Sequence, residues 1–272
     1  MKKLLLQSLL SCFFILFISG LAFSANEYFR SVATGNWNSI ATWEMSTNSG
    51  GTWIAATKTP NDSSGVITVR SPNTVTVTAN VNADQLTVNS GGTISINSGI
   101  TLSILNGSGE DLYLASGGFI SGLGTLKSLG TSTIMDIRGS TGFTAAFKVS
   151  SGTTSVYDAT VSPAVFNGAI TVDAGATLSV VNGGYTIQAN GNVTNGGKIT
   201  SGSGGIFLMN GPSLVNNDTI RPANLNFNSA TSLSGTGAYT SADINILGTG
   251  NVSLSNNVTF SHSSVFTINN GG

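Results

Sequence analysis

The sequence predicts an all-β chain, a right-handed parallel β-helix (β-solenoid) closed at its N-terminal end by a Trp-rich cap. Three observations carry this expectation. Short apolar-polar-apolar units recur along the chain, with Gly, Asn or Ser filling most of the gaps. Ser, Thr, Asn and Gly together make up about half of the 272 residues, and only 8% are charged, against roughly 25% in ordinary soluble domains. No segment carries an apolar period of 3.6, so a parallel sheet would have no crossover helices. The alternative all-β solution is a β-sandwich, which asks for longer strands and hairpin turns.

The first element is a leader. Lys2 and Lys3 precede an almost unbroken apolar run from Leu4 to Leu21, and Ala22-Phe23-Ser24 supplies small residues for cleavage. Residues 1–24 therefore read as a secretory signal peptide, which places the mature chain outside the cell. The run is near spanning length, so an anchor is the competing reading. Leu9-Leu10-Ser11-Cys12 loosely resembles a lipoprotein box, but the apolar run continues well past Cys12. Cleavage removes the only Cys, so an exported chain is left without a disulfide and must be held by burial and backbone pairing. Eight basic and eleven acidic side chains remain, a formal charge of −3 that offers no footprint for nucleic acid.

Residues 25–70 read as the capping region. They hold all three tryptophans, in Gly35-Asn36-Trp37, Ala41-Thr42-Trp43 and Gly51-Thr52-Trp53. A solenoid's first coil exposes a core that needs a lid, and terminal repeats are commonly atypical. The indoles are therefore expected to be buried there; the competing reading is a carbohydrate platform.

Residues 71–272 read as the repeat region. Val75-Thr76-Val77, Leu86-Thr87-Val88, Ile94-Ser95-Ile96, Leu102-Ser103-Ile104 and Leu112-Tyr113-Leu114 follow one another at steps of 8 to 11 residues. Period-two alternation puts both apolar residues of a unit on one face, and Gly or Asn accepts the positive φ of sharp corners. Strands this short are stable only when stacked on copies of themselves, at about three strands to a coil. The pattern degenerates near residues 131–163, where an irregular coil or longer loop is expected. Phe266-Thr267-Ile268 begins another unit near the end of the sequence, which reads as a chain truncated in mid-repeat. Such an end would fray or associate end to end.

Chemistry is sparse. Glu110, Asp111, Asp136 and Arg138 form the densest charged region and are the residues an enzymatic reading would have to use. Glu110 and Asp111 are adjacent and would face opposite ways on a strand, whereas Asp136 and Arg138 would share a face as an ion pair. Asp158, Asp173, Asp218 and Asp243 stand singly, often at turns where Asp bonds its own backbone. His262 reads as a turn residue, not a metal ligand. Thr74, Thr76 and Thr78 suggest a flat ice-binding array, but they belong to one strand. No catalytic, cofactor-binding or metal-ligating residues are assigned.

Gly35-Asn36-Trp37-Asn38-Ser39-Ile40-Ala41-Thr42-Trp43-Glu44, the Gly-Gly-x-Trp ending at Trp53, Thr74-Val75-Thr76-Val77 and Asp84-Gln85-Leu86-Thr87-Val88 form a series. It resembles the N-terminal region of large secreted bacterial surface proteins exported by the type IX route, and distantly the eight-glycine extracellular module. That resemblance implies β-helical or adhesin-like repeats at the cell surface, and it supplies no catalytic motif.

The sequence thus leads to a non-catalytic extracellular or cell-surface β-solenoid segment of a larger secreted protein. The alternative is a carbohydrate-active or glycan-binding β-helix, resembling a polysaccharide lyase or hydrolase. Glycans and other cell-surface components are the expected partners.

Overall fold

The computed structural model describes residues 27–139, 142–158, 160, 163–181, 183–247, 251–255, 258–260 and 265–268. Residues 1–24, with Cys12, and His262 lie outside the described residues. The strands wind into a right-handed parallel β-helix of about nine turns.

Three faces run along it. The first is a continuous sheet of thirteen strands, from the exposed pair Ile54–Ala55 through Trp43–Ser46, Tyr28–Ser31 and Ile67–Val69 to Thr259–Phe260. The second holds nine strands, from Val81–Ala83 to Val252–Leu254. The third is divided into four strands, Gly35–Asn36 to Phe119–Gly122, and six strands, Ala164–Phe166 to Val265–Ile268. Among the described strands, antiparallel pairing is confined to the start of the first face, at Tyr28–Ser31 with Trp43–Ser46 and Trp43–Ser46 with Ile54–Ala55. A sandwich of hairpins is thereby excluded.

Stacking in register explains the sequence pattern. Ile67, Leu86, Leu112 and Met135 are successive partners on the first face, and all four are buried. Each apolar residue of a unit therefore rests on its counterpart one coil away, at about 4.8 Å. Corners need glycine where φ is positive: Gly122 has φ 104°, and a side chain there would strike the backbone of Ile96 in the preceding coil. Thr74 and Thr76 do lie side by side, but their row continues into Phe119 and Ser121 through Thr93 and Ser95, so the threonine array ends after two coils.

The cap uses two of its three indoles as lid. Trp37 and Trp43 are buried and meet edge to face at 5.3 Å. The Trp37 indole donates to the Pro60 carbonyl (3.0 Å), and that of Trp43 to the Trp37 carbonyl (2.8 Å). Both polar handles are thus satisfied inside the core. Trp53 corrects the expectation. It comes from the turn before the exposed edge strand Ile54–Ala55 and lies outside the core, half-buried, with the Arg30 guanidinium 4.2 Å from its ring centre. Arg30 also pairs with Glu44 at 2.7 Å.

The irregular stretch is local. Ser132–Ile137, Ala146–Val149 and Thr153–Tyr157 keep the first and second faces running without a break. Only the third face is interrupted, and an isolated bridge between Ile120 and Phe143 stands where a strand would be. Phe143, Phe147 and Phe166 fill the interior behind that gap. Their ring centres lie 4.7 to 5.9 Å apart, and all three are buried.

Some inward positions are polar and bonded along the axis. Asn195 donates to Asn216 Oδ1 (2.8 Å), and Asn216 donates to the Ala238 carbonyl (3.1 Å). Thr154 likewise donates to Ser128 (2.7 Å), in a fully buried pair. Stacking lets these donors find acceptors in the coil beside them.

Candidate functional site

The four charged residues singled out from the sequence meet around strands Leu112–Leu114, Ser132–Ile137 and Thr153–Tyr157 of the first face. Tyr113, Asp136 and Tyr157 are register partners on successive coils, pointing outward. The sheet therefore brings together side chains that lie more than twenty residues apart in sequence.

Asp111 and Glu110 do face opposite ways. Asp111 is fully buried, and its carboxylate accepts the backbone N–H of Gly107 (2.6 Å) and of Ile134 (2.7 Å). It ties a corner of one coil to the strand of the next. Glu110 is exposed and accepts the Tyr157 hydroxyl. Asp136 is outward-pointing yet has no exposed surface, because neighbouring groups close over it. Arg138 Nε donates to it at 2.8 Å while the Arg138 guanidinium sits 4.8 Å from the centre of the Tyr113 ring. Tyr185 extends the strip, edge to face with Tyr157 at 5.8 Å.

The protonation states follow from these contacts. The hydrogen bond it donates to Asp136 holds the Arg138 guanidinium above its already high ordinary value. Burial, then the hydrogen bond and charge of Glu110, push the Tyr157 phenol well above its ordinary value. Both groups therefore hold their protons more tightly than the free side chains do. Glycoside hydrolysis needs one carboxyl group poised as an acid and another free to act on water or sugar. Here Asp111 is spent on two amides, Asp136 is closed under Arg138, and Glu110 is held by Tyr157.

The single aspartates are local anchors. Asp158 is buried and accepts from the N–H groups of Gly139 (2.5 Å) and Thr160 (2.7 Å). Asp173 pairs with Lys148 (3.0 Å) and accepts from Ser150 (3.0 Å), and Asp218 accepts the Thr219 hydroxyl (2.9 Å). Asp243 opens the strand Asp243–Ile246. Among the described residues no group of three or more His, Cys, Asp or Glu side chains is placed to hold a metal ion.

One carboxyl group was missed from sequence. Asp84 is half-buried, with one carboxyl oxygen enclosed and unpartnered, and a side chain on Gly107 would collide with it. Burial, then the negative charge of Asp111, raise its pKa above the ordinary aspartate value. The folded state thus holds this proton more tightly than the unfolded chain. The associated stability is fully present below the ordinary aspartate pKa and is lost as pH rises through the folded value. Asp84→Asn is expected to raise the melting temperature at neutral pH and to change it little in acid below that window. Thermal melts across pH check it, and an equal shift at every pH would show that ionisation is not the cause.

The tyrosine strip could not be seen in the sequence, because Tyr113, Tyr157 and Tyr185 follow no fixed spacing and align only through coils of unequal length. No described helix is long and apolar enough to cross a membrane. Comparison of the chain with protein-family models, with curated proteins and with solved structures found no match.

Proposed function

We propose that this chain is a non-catalytic extracellular or cell-surface solenoid, a structural or adhesin-like segment of a larger secreted protein. The observation that carries the reading is the engagement of every group an enzymatic site would need in the densest charged region. Asp111, Asp136 and Glu110 each hold a structural partner, and Arg138 and Tyr157 retain their protons. The basic leader with its apolar run supports export, and the Trp-rich series supports the type IX route. Its role would be to extend and present other parts of the surface protein.

A second reading, glycan contact, is favoured by one observation: the half-buried rings of Tyr113, Tyr157 and Tyr185 lie along one edge of the first face. Aromatic faces with polar rims suit sugar rings. Incubation with a panel of neutral and acidic polysaccharides is expected to release no oligosaccharide above a heat-denatured control. Reproducible release that is lost in Asp136→Asn would overturn the non-catalytic reading.

A further inference from the structure

A second patch lies farther along the first face, on strands Lys198–Ser201, Thr219–Arg221 and Ala238–Tyr239. Lys198, Thr219 and Ala238 are register partners and form one outward row. Thr200 pairs with Arg221, and Thr240 lies beyond Arg221 with its N–H on the Ile220 carbonyl (2.9 Å), forming a second row. The two cations therefore occupy diagonal corners of this array. One coil step and two residues along the strand separate them by about 8 Å between Cα atoms. The surface is concave here. One depression is lined by Lys198, Thr200, Thr219, Arg221 and Thr240, and an adjoining one continues from Arg221 and Thr240 to Ser201, Pro222 and Ala242.

The charges in this patch are distinctive. Arg30, Lys58, Arg138 and Lys148 each pair with a carboxylate, and Arg70 donates to the Ser31 carbonyl. Lys198 and Arg221 are exposed and, like Lys127 on the second face, make no ion pair with any described residue; they differ from Lys127 in standing together over a depression. Asp218 is occupied by the Thr219 hydroxyl, not by either cation. Two unpaired cations and the hydroxyls of Thr200 and Thr240 therefore converge on a concavity with no carboxylate in its lining.

We infer that this groove binds an acidic polysaccharide, a chain of sugars bearing carboxylate or sulfate groups. The guanidinium of Arg221 offers a planar fork for one such anion, and Lys198 offers a point charge for a second on the same chain. The threonine hydroxyls provide donors and acceptors for the sugars between. Val180 is the register partner of Ser201, and Val156 that of Val180. The groove thus opens on the edge that carries Tyr157, two coils and about 10 Å back from Ser201. Nucleic acid is disfavoured because two cations release few counterions and no basic stripe adjoins them. The site stands on its own geometry: failed binding would leave the scaffold reading intact, and glycan turnover would remove that reading without touching this one.

Titration calorimetry of the purified chain at low salt tests the inference, with oligogalacturonate as the carboxylate probe and sulfated dextran oligomers as the sulfate probe. At least one is expected to bind, while neutral dextran does not, and the stronger of the two identifies the anion. Lys198→Gln and Arg221→Gln should each weaken binding about three- to tenfold, the size of one charged contact. Arg221→Lys should recover part of the loss. Lys127→Gln removes a cation on the second face and should change nothing, and unchanged thermal melts would show each variant folded. Absence of binding to both acidic probes, equal loss in Lys127→Gln, or equal affinity for a single-stranded oligonucleotide would overturn it.

Discussion

Phe166→Ala is expected to lower stability by about 3–5 kcal/mol and to split unfolding into two transitions. Phe143, Phe147 and Phe166 lie where the third face changes from its four-stranded to its six-stranded part. Among the described residues that face is linked across the gap by the isolated Ile120–Phe143 bridge and by the Asn167 N–H on the Phe143 carbonyl (2.8 Å), so ring packing carries much of the cohesion that full ladders carry elsewhere. In a solenoid each coil touches only its neighbours, so one weakened junction uncouples the two flanking stacks. All three tryptophans lie between residues 37 and 53, which makes intrinsic fluorescence a reporter of the N-terminal stack alone. Far-UV circular dichroism reports both stacks. The two signals should coincide in the parent chain and separate in the variant; coincident curves in Phe166→Ala would show that the first and second faces suffice to couple the stacks.

The second large effect is expected at Asp111. Removing its carboxylate in Asp111→Ala strands the Gly107 and Ile134 amides next to a fully buried position. An unsatisfied buried donor costs about 1–3 kcal/mol, so two amides lead to a loss of about 3 kcal/mol or more. The adjacent Glu110→Ala removes an exposed group that accepts a tyrosine hydroxyl, and should stay within about 0.5 kcal/mol. Urea denaturation of the pair measures the contrast. Similar losses in both variants would mean that the Asp111 amides find water when the carboxylate goes.

The repeat units were legible because the alternation that buries a strand face is local. Leu86-Thr87-Val88, Ile94-Ser95-Ile96 and Leu102-Ser103-Ile104 each hold the apolar-in, polar-out order that the coil requires, and each falls within a strand. The opposite facing of Glu110 and Asp111 and the pairing of Asp136 with Arg138 were legible for the same reason. Trp53 was not, since nothing in Gly51-Thr52-Trp53 records that the preceding turn swings it outside the lid. The tyrosine strip and the Lys198–Arg221 groove were hidden more deeply. Their members come together through register between coils, and register depends on the length of every intervening corner. Asn195 and Asn216 look like ordinary corner residues in sequence, and only stacking turns them inward upon each other.

The unequal corners carry a consequence for reach. Ile67 and Leu86 are partners 19 residues apart, whereas Leu86 and Leu112 are partners 26 residues apart. Both intervals advance the molecule by the same 4.8 Å or so, because the rise is fixed by hydrogen bonding between strands. Extra residues at a corner bulge sideways and add nothing to length. The span of such a rod is therefore counted in whole coils. Excising one coil, corner to corner, would shorten it by one rung and return every later residue to the same azimuth. Excising half a coil would swing everything downstream onto another face, and a surface feature carried there would point away from its neighbours. Genetic change in a chain of this build is free to decorate the corners, but it can lengthen or shorten the rod only in quanta of a full turn.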